Sequence, residues 1–295
     1  MKFRAAVFFI FIGFLTNAQN STKELQNKIA SIFEENQGDF AIAFKNISGE
    51  KDSILINAHE DFHAASTMKT PVMIEVFKQA SEGKFSLQDS LVIKNDFKSI
   101  LDGSSYSMEL GRDSGEHLYE QIGQKRSIEA LVTDMIIYSS NLATNIIIEL
   151  VDAKNVNQTM REMGAMDINV LRGVEDMKAY EAGLSNSTTA YDLMLIFEAL
   201  AQGKAVNAEA DKEMLHILQQ QKHTDLIPAL LPENLKIANK TGWITGVHHD
   251  SALIELPDGE KYVLVLLSKN MKDMDAGTKM LAKVSKLIYD HVNNN

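Results

Sequence analysis

A serine three residues ahead of a lysine can be turned into a nucleophile. Ser66-Thr67-Met68-Lys69 has that spacing. On a helix, positions i and i+3 share a face, so Lys69 can reach the Ser66 oxygen. A serine hydroxyl attacks poorly until a base takes its proton. A lysine can be that base when burial and neighbouring positive charge lower its pKa. The start of a helix also aims backbone N–H groups at a developing oxyanion. The spacing recurs at Ser48-Gly49-Glu50-Lys51 and at Ser81-Glu82-Gly83-Lys84. The first falls in a hairpin turn and the second where a helix should end. Only Ser66 opens a long apolar-periodic helix, through Val72, Met73, Val76, Phe77 and Ala80. Pro71 sits five residues past Ser66, too deep for a first-position proline, and predicts a local adjustment.

Two other clusters carry polar groups suited to the same task. Ser139-Ser140-Asn141 interrupts an apolar helical pattern. A hydroxyl and an amide two apart in a loop can face one cleft, the first relaying a proton and the second holding a carbonyl. Lys240-Thr241-Gly242 occurs once and is predicted to end a strand. Lysine brings positive charge, threonine a donor, and glycine lets a substrate lie against the backbone. An acyl substrate could pair with this strand as an added one. His248-His249-Asp250 does not read as a metal site, because adjacent strand residues point to alternating faces. Asp250 is expected to start the next strand. No metal and no cofactor is expected.

The elements that must position these groups change character twice. Phe40 to Phe44 and Ser53 to Ile56 are β-prone runs that predict a hairpin. Residues 66–205 are mostly helical in period, with Ser127 as an N-cap and Glu129 in its first turn. Strands return at Leu235 to Ala238, Ala252 to Leu256 and Tyr262 to Leu267, the last two joined by a Pro257-Asp258-Gly259-Glu260 turn. Met274 to Val292 closes the chain as an amphipathic helix. The order predicts an α/β (α+β sandwich) fold: an antiparallel sheet covered by N- and C-terminal helices, with a helical lobe inserted. Residues 19–295 then form a single catalytic domain, its α/β lobe at 19–62 and 206–295 and its helical lobe at 63–205.

Residues 1–18 read as a signal peptide. Lys2 and Arg4 precede an apolar run from Ala5 to Leu15, too short to span a bilayer, and Thr16-Asn17-Ala18 resembles a cleavage site. The expected location is periplasmic or secreted, with no membrane contact after cleavage. The chain has no Cys, which excludes disulfides and thiolate catalysis. Its formal net charge of −11 disfavours nucleic acid as a partner.

Taken together and in this order, the three clusters resemble those of class A β-lactamases and related penicillin-binding serine hydrolases, marked by Ser-x-x-Lys, Ser-Asp-Asn and Lys-Thr-Gly. The resemblance spans nearly the whole chain after residue 18. It implies that Ser66 is acylated, that Lys69 is its proton partner and that Ser139 relays a proton to the leaving nitrogen. It implies that Asn141 contacts the substrate amide, that Lys240 and Thr241 bind the substrate carboxylate, and that the N–H groups of Ser66 and Trp243 form the oxyanion hole beside Gly242. Three departures stand out. Ser140 replaces the acid of the middle motif, which is mainly structural in the family, so altered packing is expected. Residues 103–120 are longer than usual and should rim the cleft. The Glu that activates the hydrolytic water, expected in a Glu-x-x-Leu-Asn run, is matched partly by Glu175 and partly by Glu181; Arg172, just upstream, favours Glu175. The implied activity is hydrolysis of a β-lactam amide by a monomeric enzyme. The alternative is a penicillin-binding DD-peptidase or related hydrolase acting on cell-wall peptide or another acyl compound.

Overall fold

Five strands, four of them with long buried runs, form one antiparallel sheet in the computed structural model, which describes residues 21–48 and 52–294. The leader expected over residues 1–18 lies outside them. The strands are β1 (Asp39–Asn46), β2 (Ser53–Ile56), β3 (Lys236–Ile244), β4 (Val247–Glu255) and β5 (Lys261–Lys269), in the spatial order β2-β1-β5-β4-β3. Side chains alternate across a strand, and here both faces are covered. Ala41, Ala43, Val263 and Val265 enter one core; Ile42, Phe44, Leu264 and Leu266 enter another. Against the second face pack α1 (residues 21–34) and α9 (Met274–Asn293), through Ile29, Phe33, Leu281 and Ile288.

The first face meets a block of helices inserted between β2 and β3. These are α2 (Lys69–Ser81), α3 (Ile128–Ile137), α4 (Asn141–Val151), α5 (Ala153–Glu162), α6 (Met177–Glu181), α7 (Ala190–Ala201) and α8 (Ala208–Leu218). The expected Ser127 cap is present, its side chain accepting from the Ala130 N–H. The block is less purely helical than its periodicity suggested. Phe62–His63 pairs with Ser187–Thr188, Ser90–Val92 with Lys125–Ser127, and Phe97–Lys98 with Ser105–Tyr106. Such short ladders carry too few residues to show a period.

Three local expectations are corrected. Ser66 lies in a 3₁₀ turn, Ala65–Met68, and the α-helix begins only at Lys69. Pro71 is therefore in the first α-helical turn, where N–H groups lack intrahelical acceptors and proline is tolerated. Lys240-Thr241-Gly242 lies inside β3, which runs on to Ile244. Asp250 is the fourth residue of β4, not its first. Both strand ends were misplaced because the polar residues around the β3–β4 turn still pair, from His248 opposite Trp243 to Asp250 opposite Thr241.

Candidate active site

Ser66 sits where the sheet edge meets the helical block. The turn that carries it is held from three sides. Ala65, just ahead, has a left-handed φ of +45°. Its N–H donates to His63 Nδ1 at 3.0 Å. The His63 carbonyl accepts from His249 Nε2 at 2.9 Å; that nitrogen carries the proton because His249 Nδ1 accepts from the Ser268 N–H at 3.1 Å. Burial pushes His249 down to about 3, so it stays neutral. On the third side β3 passes so close that a Cβ on Gly242 would lie 3.0 Å from the Ser66 nitrogen and 3.2 Å from the Thr67 nitrogen. Glycine is required here for close approach, and this contact places Trp243 beside the Ser66 backbone.

Two buried lysines converge on one hydroxyl. Lys69 Nζ donates to Ser139 O at 2.7 Å, to Ser139 Oγ at 3.2 Å and to Asn141 Oδ1 at 2.9 Å. Lys240 Nζ reaches the same Oγ at 3.1 Å and its neighbour's carbonyl, Thr241 O, at 2.9 Å. Ser139 holds this position with a left-handed φ of +57°. Among the described residues, Lys69 makes no hydrogen bond to Ser66 Oγ; the ammonium is turned to the Ser139–Asn141 loop. Such contacts often tighten only when substrate is present. Burial brings Lys69 down to about 7, opposed by the negative charges of Asp113 and Glu175. Burial also pushes Lys240 well below the usual lysine range, and the Lys69 charge adds to this. Asp250, beneath Lys240, is raised to about 7 by burial, while hydrogen bonds from Asn239 and Ile227 N–H favour its anion.

Asn141 links the lysine to a carboxylate. Its Oδ1 accepts from Lys69, and its Nδ2 donates to Glu175 Oε1 at 2.8 Å. The amide has a second N–H for a substrate carbonyl. Glu175 takes a left-handed φ of +61° in a loop fastened on several sides. Arg172 Nε donates to Leu184 O and the Val174 N–H donates to Asn145 Oδ1. Asn186 accepts from Leu171 N–H and donates to Arg172 O. Asp176 caps α6 and accepts from Ser99 and the Ile100 N–H. Glu181, the rival acid, is exposed at the end of α6, and the cleft is lined by Glu175 instead. The residues that give Glu181 its motif spacing form the end of α6 and its closing turn.

The cleft on this side has a volume of about 320 Å³ and runs from Ser66 past Glu175 to Tyr180 and Trp243. Trp243 is 61% exposed at its mouth. On the other side of Ser66 the walls are Ser139, Thr241, Ser114, His223 and His248. The sequence reading placed Ser114 only within the rim segment 103–120 and did not place His63 or His223 at the site. None lies in a motif, and only tertiary pairing brings them there.

A family model described as the β-lactamase enzyme family matches residues 24–292. The chain belongs to the β-lactamase enzyme family. It is 21% identical over 293 residues to β-lactamase VEB-1 of Pseudomonas aeruginosa, covering 95% of this chain and 93% of that one. A Bacillus licheniformis β-lactamase is 28% identical over 163 residues, about half of each chain. Among solved structures, a β-lactamase from Sphaerobacter thermophilus superposes with a TM-score of 0.78 at 26% identity, covering 92% of this chain and 97% of that one. A protein named PBP-A shares the fold, with a TM-score of 0.79 at 24% identity over 92% of this chain and 97% of its own. The Sphaerobacter thermophilus β-lactamase and PBP-A thus share the architecture that the sequence order predicted. Within the β-lactamase pattern, residues 178 and 179 still depart: Lys178 and Ala179 stand where the run opening on Glu175 would have Leu and Asn.

Proposed function

We propose that this β-lactamase-family protein opens a β-lactam amide through an acyl-enzyme on Ser66 and hydrolyses it with a water activated by Glu175. The observation that carries this reading is the convergence of Lys69, Ser139, Lys240 and the Asn141–Glu175 pair on the cleft holding Ser66. With its pKa held near 7, Lys69 has a large neutral fraction at neutral pH and can take the Ser66 proton. Ser66 Oγ attacks the carbonyl carbon, and the negative oxygen faces the N–H groups of Ser66 and Trp243. Ser139 Oγ accepts from both lysines, which leaves its own proton directed outward for the leaving nitrogen, and the proton that Lys69 took from Ser66 passes to Ser139 Oγ in its place. Lys240 and Thr241 hold the substrate carboxylate, whose charge favours the protonated lysine. Glu175 then takes a proton from a water that attacks the ester carbonyl, and the proton is delivered to Ser66 Oγ as the acyl–oxygen bond breaks and the serine is freed. The protein works as an exported monomer after loss of residues 1–18, the two lobes belonging to one domain from residue 19 on. Neither a metal nor a cofactor takes part, and no nucleic acid or membrane is a partner.

Intact mass followed over time after mixing with penicillin G tests both half-reactions. The expected record is a transient adduct, absent in Ser66→Ala and long-lived in Glu175→Ala, with rapid turnover of a chromogenic cephalosporin by the unaltered protein. Neither adduct nor turnover would sink the proposal. A second reading, a penicillin-binding hydrolase acting on cell-wall peptide, draws support from Lys178 and Ala179, which give the water no amide partner from that run. A stable adduct with negligible release would favour it.

A further inference from the structure

The middle motif has Ser140 where the resemblance expects an acid, and residues 103–120 form a rim segment beside it. The two meet at one carboxylate. Asp113 lies between two 3₁₀ turns of the rim, Leu110–Arg112 and Glu116–Gln121, and is buried. Its Oδ1 accepts from the Gly115 N–H at 2.8 Å and the Asn141 N–H at 2.9 Å. Its Oδ2 accepts from the Leu142 N–H at 2.8 Å, from Tyr119 OH at 3.2 Å and from Ser140 Oγ at 3.4 Å. Burial and the neighbouring Asp113 charge push the Tyr119 hydroxyl far up, so it keeps its proton as a donor.

Asn141 and Leu142 are the first two residues of α4, whose N–H groups have no intrahelical acceptor. The third, Ala143 N–H, donates to Ser140 Oγ. The start of α4 is thus capped jointly by Ser140 and by a carboxylate arriving from 27 residues upstream. Gly115 makes the approach possible, since a Cβ there would overlap the Ser140 side chain. The same turn aims Ser139 at both lysines and Asn141 at Lys69 and Glu175, so a shift of the α4 terminus would displace both.

We propose that Asp113 is a positioning residue of the active site, supplying from the rim the carboxylate that residue 140 lacks and holding Ser139 and Asn141 in register with Lys69. Its role in catalysis rests on the acyl-enzyme reading above; its role in holding the loop does not. A charge this near also favours protonated Lys69.

The test compares Asp113→Ala, Asp113→Asn and the swap Asp113→Ala/Ser140→Asp in the full chain. Acylation by penicillin G is read by intact mass, and amide hydrogen exchange by mass spectrometry of residues 139–143. Asp113→Ala is expected to slow acylation by about tenfold to a hundredfold, and the swap to recover most of it. Asp113→Asn keeps the volume and removes the charge, so its acylation should reach half-maximum at a lower pH; a cap acting on stability alone would leave that midpoint in place. In all single variants the Asn141 and Leu142 amides should exchange faster. Wild-type acylation in a folded Asp113→Ala, or a swap with no recovery, would overturn the proposal. Should penicillin G fail to label even the unaltered protein, the acyl-enzyme reading falls, while unchanged exchange in Asp113→Asn would independently overturn the positioning role.

Discussion

Ser139 accepts hydrogen bonds from two buried lysines on one oxygen, and the burial of those lysines sets the pH behaviour of the site. Burial brings Lys69 down to titrate near neutrality, while the Lys69 charge helps push Lys240 well below the usual lysine range. Acylation needs the neutral Lys69, whose fraction grows as pH rises. The rate constant for acylation should therefore climb through about pH 7 and then level off. Glu175 raises the Lys69 pKa, so Glu175→Gln lowers it and enlarges the neutral fraction at a given acidic pH. Single-turnover acylation of Glu175→Gln should show its rising limb at lower pH than the unaltered protein. A limb that stays in place or moves upward would remove Lys69 as the titrating base. The residues of this circuit were legible because their chemistry is local: Ser66-x-x-Lys69, Ser139-x-Asn141 and Lys240-Thr241-Gly242 each fit within four positions. Asp113 was not legible. Its partners lie across the helix-terminus contact, and an isolated Asp in a polar segment has no distinguishing pattern.

At the scale of elements, the site depends on a strand grazing a turn. Gly242 lies inside β3 against the backbone of Ser66 and Thr67. A methyl group added there would press on backbone nitrogens, not on a side chain that could swing away. Gly242→Ala should displace the nucleophile turn by a few tenths of an ångström and lower kcat/KM for a chromogenic cephalosporin by about tenfold or more, since catalysis is steeply sensitive to alignment. The unfolding midpoint should change little by comparison, because the sheet pairing survives. Unaltered kcat/KM would show that the close approach is dispensable. This contact also explains why the strand boundary was misjudged. Glycine usually punctuates a strand, and here it is retained within one because another backbone passes over it. The helical pattern from Val72 onward was read correctly, yet the 3₁₀ start that accommodates Pro71 was not, since both turn types give the same local spacing over four residues.

At the scale of the whole molecule, the sheet separates two cores with different duties. The core between the sheet and the helical block includes Met68, Val72 and Leu142, next to the catalytic groups. The core under α1 and α9, with Phe44, Leu264, Leu281 and Ile288, touches the other face. The ends of the chain were correctly expected to cover the sheet, because an amphipathic terminal helix has one apolar stripe to bury. The division of labour was not readable from periodicity, which says that a face is buried but not against what. It has a measurable consequence. Ile288 is fully buried in α9, and Ile288→Ala should cost about 2–5 kcal/mol of stability through lost burial and a residual cavity. The sheet lies between that cavity and the cleft, and no hydrogen bond described above for Ser139, Asn141 or Glu175 runs through α9. Denaturant unfolding should therefore show a lower midpoint, while kcat/KM measured well below the transition stays within about twofold of the unaltered protein, as for independent sites. A large loss of kcat/KM in fully folded Ile288→Ala would mean that the far core sets the geometry of the cleft through the sheet.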